Sequence, residues 1–211
     1  MFKEKIIVIG AGGHAQSCID VIEAQGKFKI TGLIGTENEV GKVILGYSVI
    51  GTDADLPFLV SRTKNAINGV GQIESPHLRR KLFLTLKENG YELPSIISPR
   101  ADVSRSAQIG YGTVIMHHAL VGSGVKIGEN CIINSNAIIE HNSEIESHSH
   151  ISTGATINGD CFIGNGTFIG SGAVVIQGCT IGANSIVGMF TGVRNNLPAN
   201  SLYKGEKTNE S

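Results

Sequence analysis

Residues 101–121 read ADVSRSAQIGYGTVIMHHALV, and from Val103 on every sixth residue is a β-branched aliphatic one. The spacing then runs unbroken for sixteen units, at Val103, Ile109, Ile115, Val121, Ile127, Ile133, Ile139, Ile145, Ile151, Ile157, Ile163, Ile169, Val175, Ile181, Val187 and Val193. Two residues before each of these positions stands Ala, Ser, Thr, Cys or Val. A fixed short period of this kind predicts a repeat architecture.

The period of six residues fits a parallel β-helix in which each unit makes one short strand and one turn. The large aliphatic residue fills the core, and the small residue lies near a corner. Three units would close one triangular coil, so Ile109, Ile127, Ile145, Ile163 and Ile181 should stack in one buried column. The pattern alone does not fix the handedness, because parallel crossovers in general favour the right-handed form.

The first 95 residues have a different pattern, with strands predicted at 6–9, 28–35 and 65–71. A helix should follow the first strand and end at Gly26, and a second should run from an N-cap at Ser75, through Pro76, to Gly90. Alternating strands and helices predict a small α/β domain. We therefore expect a Rossmann-like α/β domain at 1–95 and a parallel β-helix at 96–211.

Composition narrows the possible partners and the compartment. The formal net charge is −1, which provides no basic surface for nucleic acid or for an anionic membrane. The first apolar run is too short for a signal peptide or a membrane span, so we expect a cytoplasmic protein. The four cysteines form no CxxC pair and should be free thiols, three of them in the small position of the repeat.

The segment Gly10-Ala11-Gly12-Gly13-His14-Ala15 fits G-x-G-x-x-A between a strand and a helix. Backbone N–H groups and the helix dipole at such a turn suit a nucleotide diphosphate, to which His14 could donate. A dinucleotide is the first alternative, but the second strand ends in Gly35 and Thr36 rather than in an acidic residue. A purely structural turn is the second alternative.

Three histidines, His141, His148 and His150, lie close together inside the repeat. Alternation along a strand sends them outward, so none should lie in the core. They could be plain surface residues, zinc ligands or a general base with a helper. Their spacing, together with His117 and His118, does not match the zinc sites of β-helix carbonic anhydrases, so we expect no metal.

Four segments together resemble the left-handed β-helix sugar O- and N-acyltransferases of the sialic acid O-acetyltransferase type. They are IVIGAGGHA, LRRKLF, SPRADVSRSAQIGYGTVIM and INSNAIIEHNSEIESHSHISTGATINGD, and the resemblance covers nearly the whole chain. Within the family the chain is most similar to enzymes that acetylate UDP-4-amino-4,6-dideoxy sugars from acetyl-CoA. An O-acetyltransferase of a sialic acid-like sugar and an inactive sugar-nucleotide-binding scaffold are the competing interpretations.

The resemblance also implies a left-handed β-helix at 96–211, roles for individual residues and a homotrimer with composite active sites. The catalytic set would be His141 as general base with Asn134, Glu140 and Asn142 around it. Acetyl-CoA would contact His150, Ser171 and Met189. The nucleotide-linked sugar, with UDP favoured, would contact Gly12, Gly13, His14, Gly35, Thr36 and Gly71.

Three positions depart from the family pattern. The family has an acidic residue at the position of Asn142, which here can orient the histidine but supplies no charge. It has an acidic pair at the positions of Gly35 and Thr36, and its usual ending is replaced by YKGEKTNES.

Overall fold

The computed structural model describes residues 3–205 as an α/β unit followed by a prism of short parallel strands. The ending EKTNES, residues 206–211, lies outside the described residues. None of the described helices is long and apolar enough to cross a membrane.

The α/β unit is built on a five-stranded sheet that is parallel except for one antiparallel pair. Its buried first strand ends at a glycine turn, and the helix after that turn closes at Gly26, which adopts the left-handed conformation with φ 71°. The elements are β1 (Glu4–Ile9), α1 (Gly13–Gln25), β2 (Phe28–Ile34), β3 (Val43–Ile44), β4 (Tyr47–Gly51), α2 (Leu56–Leu59), β5 (Asn65–Asn68) and α3 (His77–Glu88), with 3-10 turns at Glu37–Glu39 and Asp53–Asp55. The strand order is β3-β4-β2-β1-β5, and the β3–β4 pair is the antiparallel one.

The three predicted strands and the two predicted helices of this unit are confirmed, with one shift. Helix α3 begins at His77, so Pro76 occupies the N-cap position, while the Ser75 hydroxyl accepts a hydrogen bond from the His77 N–H at 3.2 Å. The hairpin β3–β4 was not predicted, because its strands are short and carry exposed residues such as Val43 and Ile50.

The prism consists of two-residue parallel strands, and from the fourth strand on each pairs with the strand three places earlier, except the last, which pairs with the strand two places earlier. The strands are β6 (Ile96–Ile97), β7 (Asp102–Val103), β8 (Gln108–Ile109), β9 (Val114–Ile115), β10 (Leu120–Val121), β11 (Lys126–Ile127), β12 (Ile132–Ile133), β13 (Ile138–Ile139), β14 (Glu144–Ile145), β15 (His150–Ile151), β16 (Thr156–Ile157), β17 (Phe162–Ile163), β18 (Phe168–Ile169), β19 (Val174–Val175), β20 (Thr180–Ile181), β21 (Ile186–Val187), β22 (Gly192–Val193) and β23 (Leu202–Tyr203). Three stacked parallel sheets result, an arrangement consistent with the predicted left-handed β-helix.

We name the sheets by their first strands. The first prism sheet starts with β6, the second with β7 and the third with β8. The first corner is the set of turns after the first prism sheet, at 116–118, 134–136, 152–154, 170–172 and 188–190. The second corner follows the second prism sheet, at 104–106, 122–124, 140–142, 158–160 and 176–178.

The predicted core is confirmed. Ile109 pairs with Ile127, and the same column continues upward through Ile145, Ile163 and Ile181. The small positions also pack into this core, which explains three of the cysteines. All four cysteines are buried free thiols.

The α/β unit packs against the first prism sheet. Helix α1 contributes to a core cluster that includes Ile96, Val114 and Met116. The buried Arg79 of α3 donates to the Asn68 carbonyl at 2.7 Å and to the Asn130 carbonyl at 3.3 Å, which ties the two parts together. Burial lowers the pKa of Arg79 to about 10, so the guanidinium stays charged at neutral pH and depends on these carbonyl contacts.

Candidate active site

A cavity of about 440 Å³ lies at the carboxyl end of the parallel strands β1, β2 and β5. This edge of an open α/β sheet is where ligands bind in such folds. The structure brings together here all six residues predicted to contact the substrate, namely Gly12, Gly13, His14, Gly35, Thr36 and Gly71. We call it the turn cavity.

The glycines of the turn have two different roles. Gly10 has φ 105°, and a side chain there would meet Val70 and Gly69, so the backbone itself requires glycine. Gly12 and Gly13 have no other atom within 4 Å of the position where a Cβ would stand. The fold does not need glycine at these two positions, and both line the turn cavity, so the lack of a side chain leaves their backbone open to a ligand. This distinction favours a binding turn over a purely structural one.

His14 contacts the ligand space without carrying charge. Burial, together with Arg79 and His150 nearby, lowers the pKa of His14 to about 3. Its Nε2 has no hydrogen-bond partner among residues 3–205. The ring is therefore neutral at physiological pH, which leaves the backbone amides of the turn as the positive groups for a diphosphate.

A second cavity of about 700 Å³ lies between the α/β unit and the first corner. It is lined by the three residues predicted to contact acetyl-CoA, which are His150, Ser171 and Met189, and by Asn134. Gly13, His14 and Gly71 line both this cavity and the turn cavity. We call it the junction cavity, since the two cavities meet at these three residues.

His150 points outward from the prism, as alternation predicted, but the α/β unit covers it and leaves only 6% exposed. Its Nδ1 lies 2.6 Å from the Gln72 carbonyl, which can only accept, so Nδ1 carries the hydrogen. Burial lowers the pKa of His150 to about 4, so Nε2 is an unprotonated acceptor at neutral pH and accepts a hydrogen bond from the Asn134 amide at 3.2 Å. Gln72 was missed in the sequence because it acts through its backbone.

His148 is also buried, which corrects the expectation that it is a surface residue. Its ring packs edge-on against Phe83 of α3 with centroids 5.6 Å apart, and its Nδ1 accepts from the Asn130 amide at 2.9 Å. Both histidines leave the prism core as predicted, but the docking of the α/β unit covers them. The contacts make His148 a structural residue of the domain junction.

The buried histidines His14, His148 and His150 together predict a loss of stability in mild acid, because burial lowers the pKa of each. Burial lowers the pKa of His148 and of His150 from 6.5 to about 4, so between these values the unfolded chain binds protons that the folded chain does not. The free energy of unfolding should therefore fall as pH drops from about 6.5 to about 4, by at most about 1.4 kcal/mol per pH unit for each histidine. Urea unfolding at pH 7 and pH 5 measures this, and His148→Gln should flatten the slope. An equal slope in the variant would contradict the burial of His148.

His141 lies apart from both cavities, on the second corner. Its side chain is 51% exposed. Its ring lies over Gly159, so closely that a Cβ added to this glycine would stand 2.5 Å from His141 Cε1. The Asn142 amide nitrogen is 3.4 Å from His141 Nδ1, and an Asp160 carboxylate oxygen is 3.9 Å from it. Glu140 makes no side-chain hydrogen bond within residues 3–205.

The predicted catalytic set is therefore divided within one chain. Asn134 belongs with His150 at the first corner, whereas His141, Asn142 and Glu140 lie at the second corner. Within one chain Asn134 and His141 are apart, since residues close in sequence lie on successive faces of the prism, and their sharing one site between two subunits stays a prediction. Asp160 was missed, although it stands 18 residues, or one coil, after Asn142.

Among residues 3–205 no three His, Cys, Asp or Glu side chains group to hold a metal ion.

Two protein-family models match the chain. The PglD N-terminal domain matches residues 5–86, and the bacterial transferase hexapeptide of six repeats matches residues 124–159 and 160–195. No curated protein sequence gives a significant match. The first match covers the turn cavity, and the second covers most of the prism.

Three solved structures are similar over most of their length. PerB from Caulobacter crescentus, in complex with CoA and GDP-perosamine, is 30% identical with a TM-score of 0.86, and the match covers 92% of this chain and 91% of that chain. A histidine-to-asparagine variant of perosamine N-acetyltransferase from Caulobacter crescentus, with the same two ligands, is 29% identical with a TM-score of 0.87, over 93% and 91% of the two chains. The acetyltransferase domain of PglB from Neisseria gonorrhoeae FA1090, in complex with acetyl coenzyme A, is 30% identical with a TM-score of 0.85, over 93% and 94%.

The fold and the paired cavities define a hexapeptide-repeat transferase with an added α/β domain. The chain belongs to the sugar acyltransferases of the hexapeptide family, which confirms the resemblance seen in the sequence.

Proposed function

We propose that the protein transfers the acetyl group of acetyl-CoA to the amino group of a nucleotide-linked sugar, with His141 as general base. The observation that carries the proposal is the meeting of the turn cavity and the junction cavity at Gly13, His14 and Gly71. An acceptor held in the first cavity would thus present its sugar towards a donor held in the second. The three similar structures, which hold CoA, acetyl-CoA or GDP-perosamine, support this assignment of ligands.

The turn cavity suits the diphosphate of the acceptor. The N-terminus of α1 directs free backbone N–H groups into it beside Gly12 and Gly13. The neutral His14 ring lets the sugar approach the junction without introducing another charge there.

The junction cavity suits the thioester arm of acetyl-CoA. His150 Nε2 is an acceptor in its neutral form, so it cannot donate to the acetyl carbonyl, and it receives an amide N–H of the pantetheine arm when that group replaces the Asn134 amide. Ser171 and Met189 line the same cavity and border the arm from the first corner.

The chemical step needs a base for the acceptor amine. Its nitrogen attacks the thioester carbonyl carbon, the N–C bond forms and the C–S bond breaks, while His141 Nε2 accepts the proton lost by the amine. That proton then passes to the departing sulfur, and CoA leaves as the free thiol. Products are an N-acetylated sugar nucleotide and CoA, with no net change in protons for a neutral amine.

A second subunit completes this site. His141 lies at the second corner, and the cavities border the first, so a neighbouring copy must bring its second corner to them. Large apolar side chains are exposed on the face between the two corners, including Met189 at 70%, Phe190 at 81%, Val174 and Ile176. A trimer in which each second prism sheet faces the next subunit would bury them.

The nucleotide is a nucleoside diphosphate whose base lies near Gly35 and Thr36. Two carboxylates, Glu39 and Asp53, also border the turn cavity there. Glu39 is occupied by the Thr36 N–H and hydroxyl at 2.8 Å each, whereas Asp53 is available to accept N–H groups of a base. Sequence resemblance favours UDP and two similar structures hold a GDP sugar, so titrations with UDP and GDP serve as the two arms of the binding test.

Gly12→Leu should remove nucleotide binding and keep acetyl-CoA binding. Gly12 borders only the turn cavity, whereas Gly13 borders both cavities, so Gly12 separates the two ligands more cleanly. The added side chain has space in the fold, so the variant should unfold at the wild-type temperature. Calorimetric titration with UDP, GDP and acetyl-CoA measures the split. Unchanged nucleotide affinity would show that the turn is structural, and loss of both ligands would show that the cavities are not assigned as proposed.

A further inference from the structure

His141 has two polar neighbours at the second corner. Asn142 follows it in the same turn, and Asp160 occupies the equivalent position one coil later. The Asn142 amide nitrogen donates to Asp160 Oδ1 at 3.2 Å and lies 3.4 Å from His141 Nδ1. Gln177, a further coil along, donates to Asp160 Oδ2 at 3.4 Å.

Proton transfer at Nε2 restricts how these neighbours can act. A histidine that accepts a proton at Nε2 must carry its hydrogen on Nδ1, and that N–H needs an acceptor. The contact with Asp160 turns the nitrogen of the Asn142 amide towards the ring, and a nitrogen donor there favours the opposite tautomer. Asn142 therefore cannot hold the reactive form of His141. The acceptor closest to Nδ1 in this group is Asp160 Oδ2, at 3.9 Å.

We propose that Asp160 is the positioning residue of His141, receiving its Nδ1–H from the coil above. This inference rests on the proposed function, in which His141 is the base. Asn142 and Gln177 hold the carboxylate in place, and a small rotation of the ring shortens the 3.9 Å separation to a hydrogen bond when the acceptor binds. The carboxylate that the family places directly after the histidine is thus supplied one coil later.

The backbone permits a direct test, because both positions have the same conformation. Asn142 and Asp160 each have φ 58°, in the left-handed region that Asn and Asp tolerate. Exchanging the two side chains therefore changes neither the turn nor the volume of the corner. It moves the carboxylate to residue 142, where the amide nitrogen now lies 3.4 Å from Nδ1.

Asp160→Asn should lower kcat by about 10-fold or more, less than removal of the base itself, which is worth roughly 10²–10⁴. KM values for both substrates should stay within about 2-fold, since Asp160 acts on the ring and borders neither cavity. Adding Asn142→Asp to this variant should restore most of kcat. A merely structural role for Asp160 would show no such recovery.

Asn184→Asp is the matched control for Asn142→Asp. It makes the same Asn-to-Asp change at a left-handed position of a different corner, and it should leave kcat unchanged. Wild-type kcat in Asp160→Asn would overturn the positioning role while the base assignment stands, provided His141→Asn is inactive. A loss that Asn142→Asp fails to restore would overturn it as well. Full activity in His141→Asn would remove both this inference and the base from the proposed function.

Discussion

His141→Asn should lower kcat by roughly 10²–10⁴, the usual contribution of a positioned general base. The imidazole ring is half exposed at the second corner, where it lies over Gly159 and has only long contacts with Asn142 and Asp160, so the fold does not depend on it. The folded structure should therefore survive the substitution. Acetyl-CoA and nucleotide affinities should also remain, because His141 lines neither cavity and its proposed contact is with the acceptor amine alone.

The control for this variant is the titration of acetyl-CoA and nucleotide together with the unfolding temperature. A fall in kcat with intact binding and stability assigns His141 to the chemical step. Activity close to wild type would contradict the assignment, because no second histidine on the described surface of this corner could replace it.

Two inactive variants should restore each other's activity when they assemble into one trimer. His141→Asn subunits keep both cavities, and Gly12→Leu subunits keep the base. If each site takes its cavities from one subunit and its base from the next, every mixed cyclic trimer contains one complete site of three. Co-expression with two different tags, followed by purification on both, should therefore recover about one third of the wild-type activity.

Trimers that combine two differently tagged copies of His141→Asn provide the matched control and should remain inactive. Light scattering should report three copies per particle for every preparation. Mixed particles without recovered activity would place the whole site in one chain. A monomer at micromolar concentration would contradict the trimer, because no neighbouring subunit would then cover the exposed Met189 and Phe190.

The repeat could be predicted from the sequence because its core is determined locally. Each coil buries its aliphatic residue against the residues one coil away, so a period of six fixes which side chains point inward. Ile109 and Ile127 are neighbours for this reason, whatever the rest of the chain does. The glycine turn was predictable on similar grounds, since it joins a buried strand to a helix start within a few residues.

The domain junction could not be predicted in the same way. His148 and His150 point outward as the alternation requires, yet Phe83 and the Gln72 carbonyl of the α/β unit bury them. Such contacts join residues far apart in sequence and follow no period. Asp160 is an intermediate case, because counting one coil forward from Asn142 would have found it.

The central claim is that an amide forms on a nucleotide-linked amino sugar. The most direct measurement incubates the wild-type protein with acetyl-CoA and a panel of UDP- and GDP-linked 4-amino-4,6-dideoxy sugars, follows CoA release with a thiol reagent, and identifies the product by mass spectrometry and NMR. The account predicts that at least one of these sugars is converted to its N-acetyl amide with one CoA released per amide formed, and that the matching 4-hydroxy sugar releases none. CoA release with the hydroxy sugar and an ester product, or no release with any member of the panel, would contradict it.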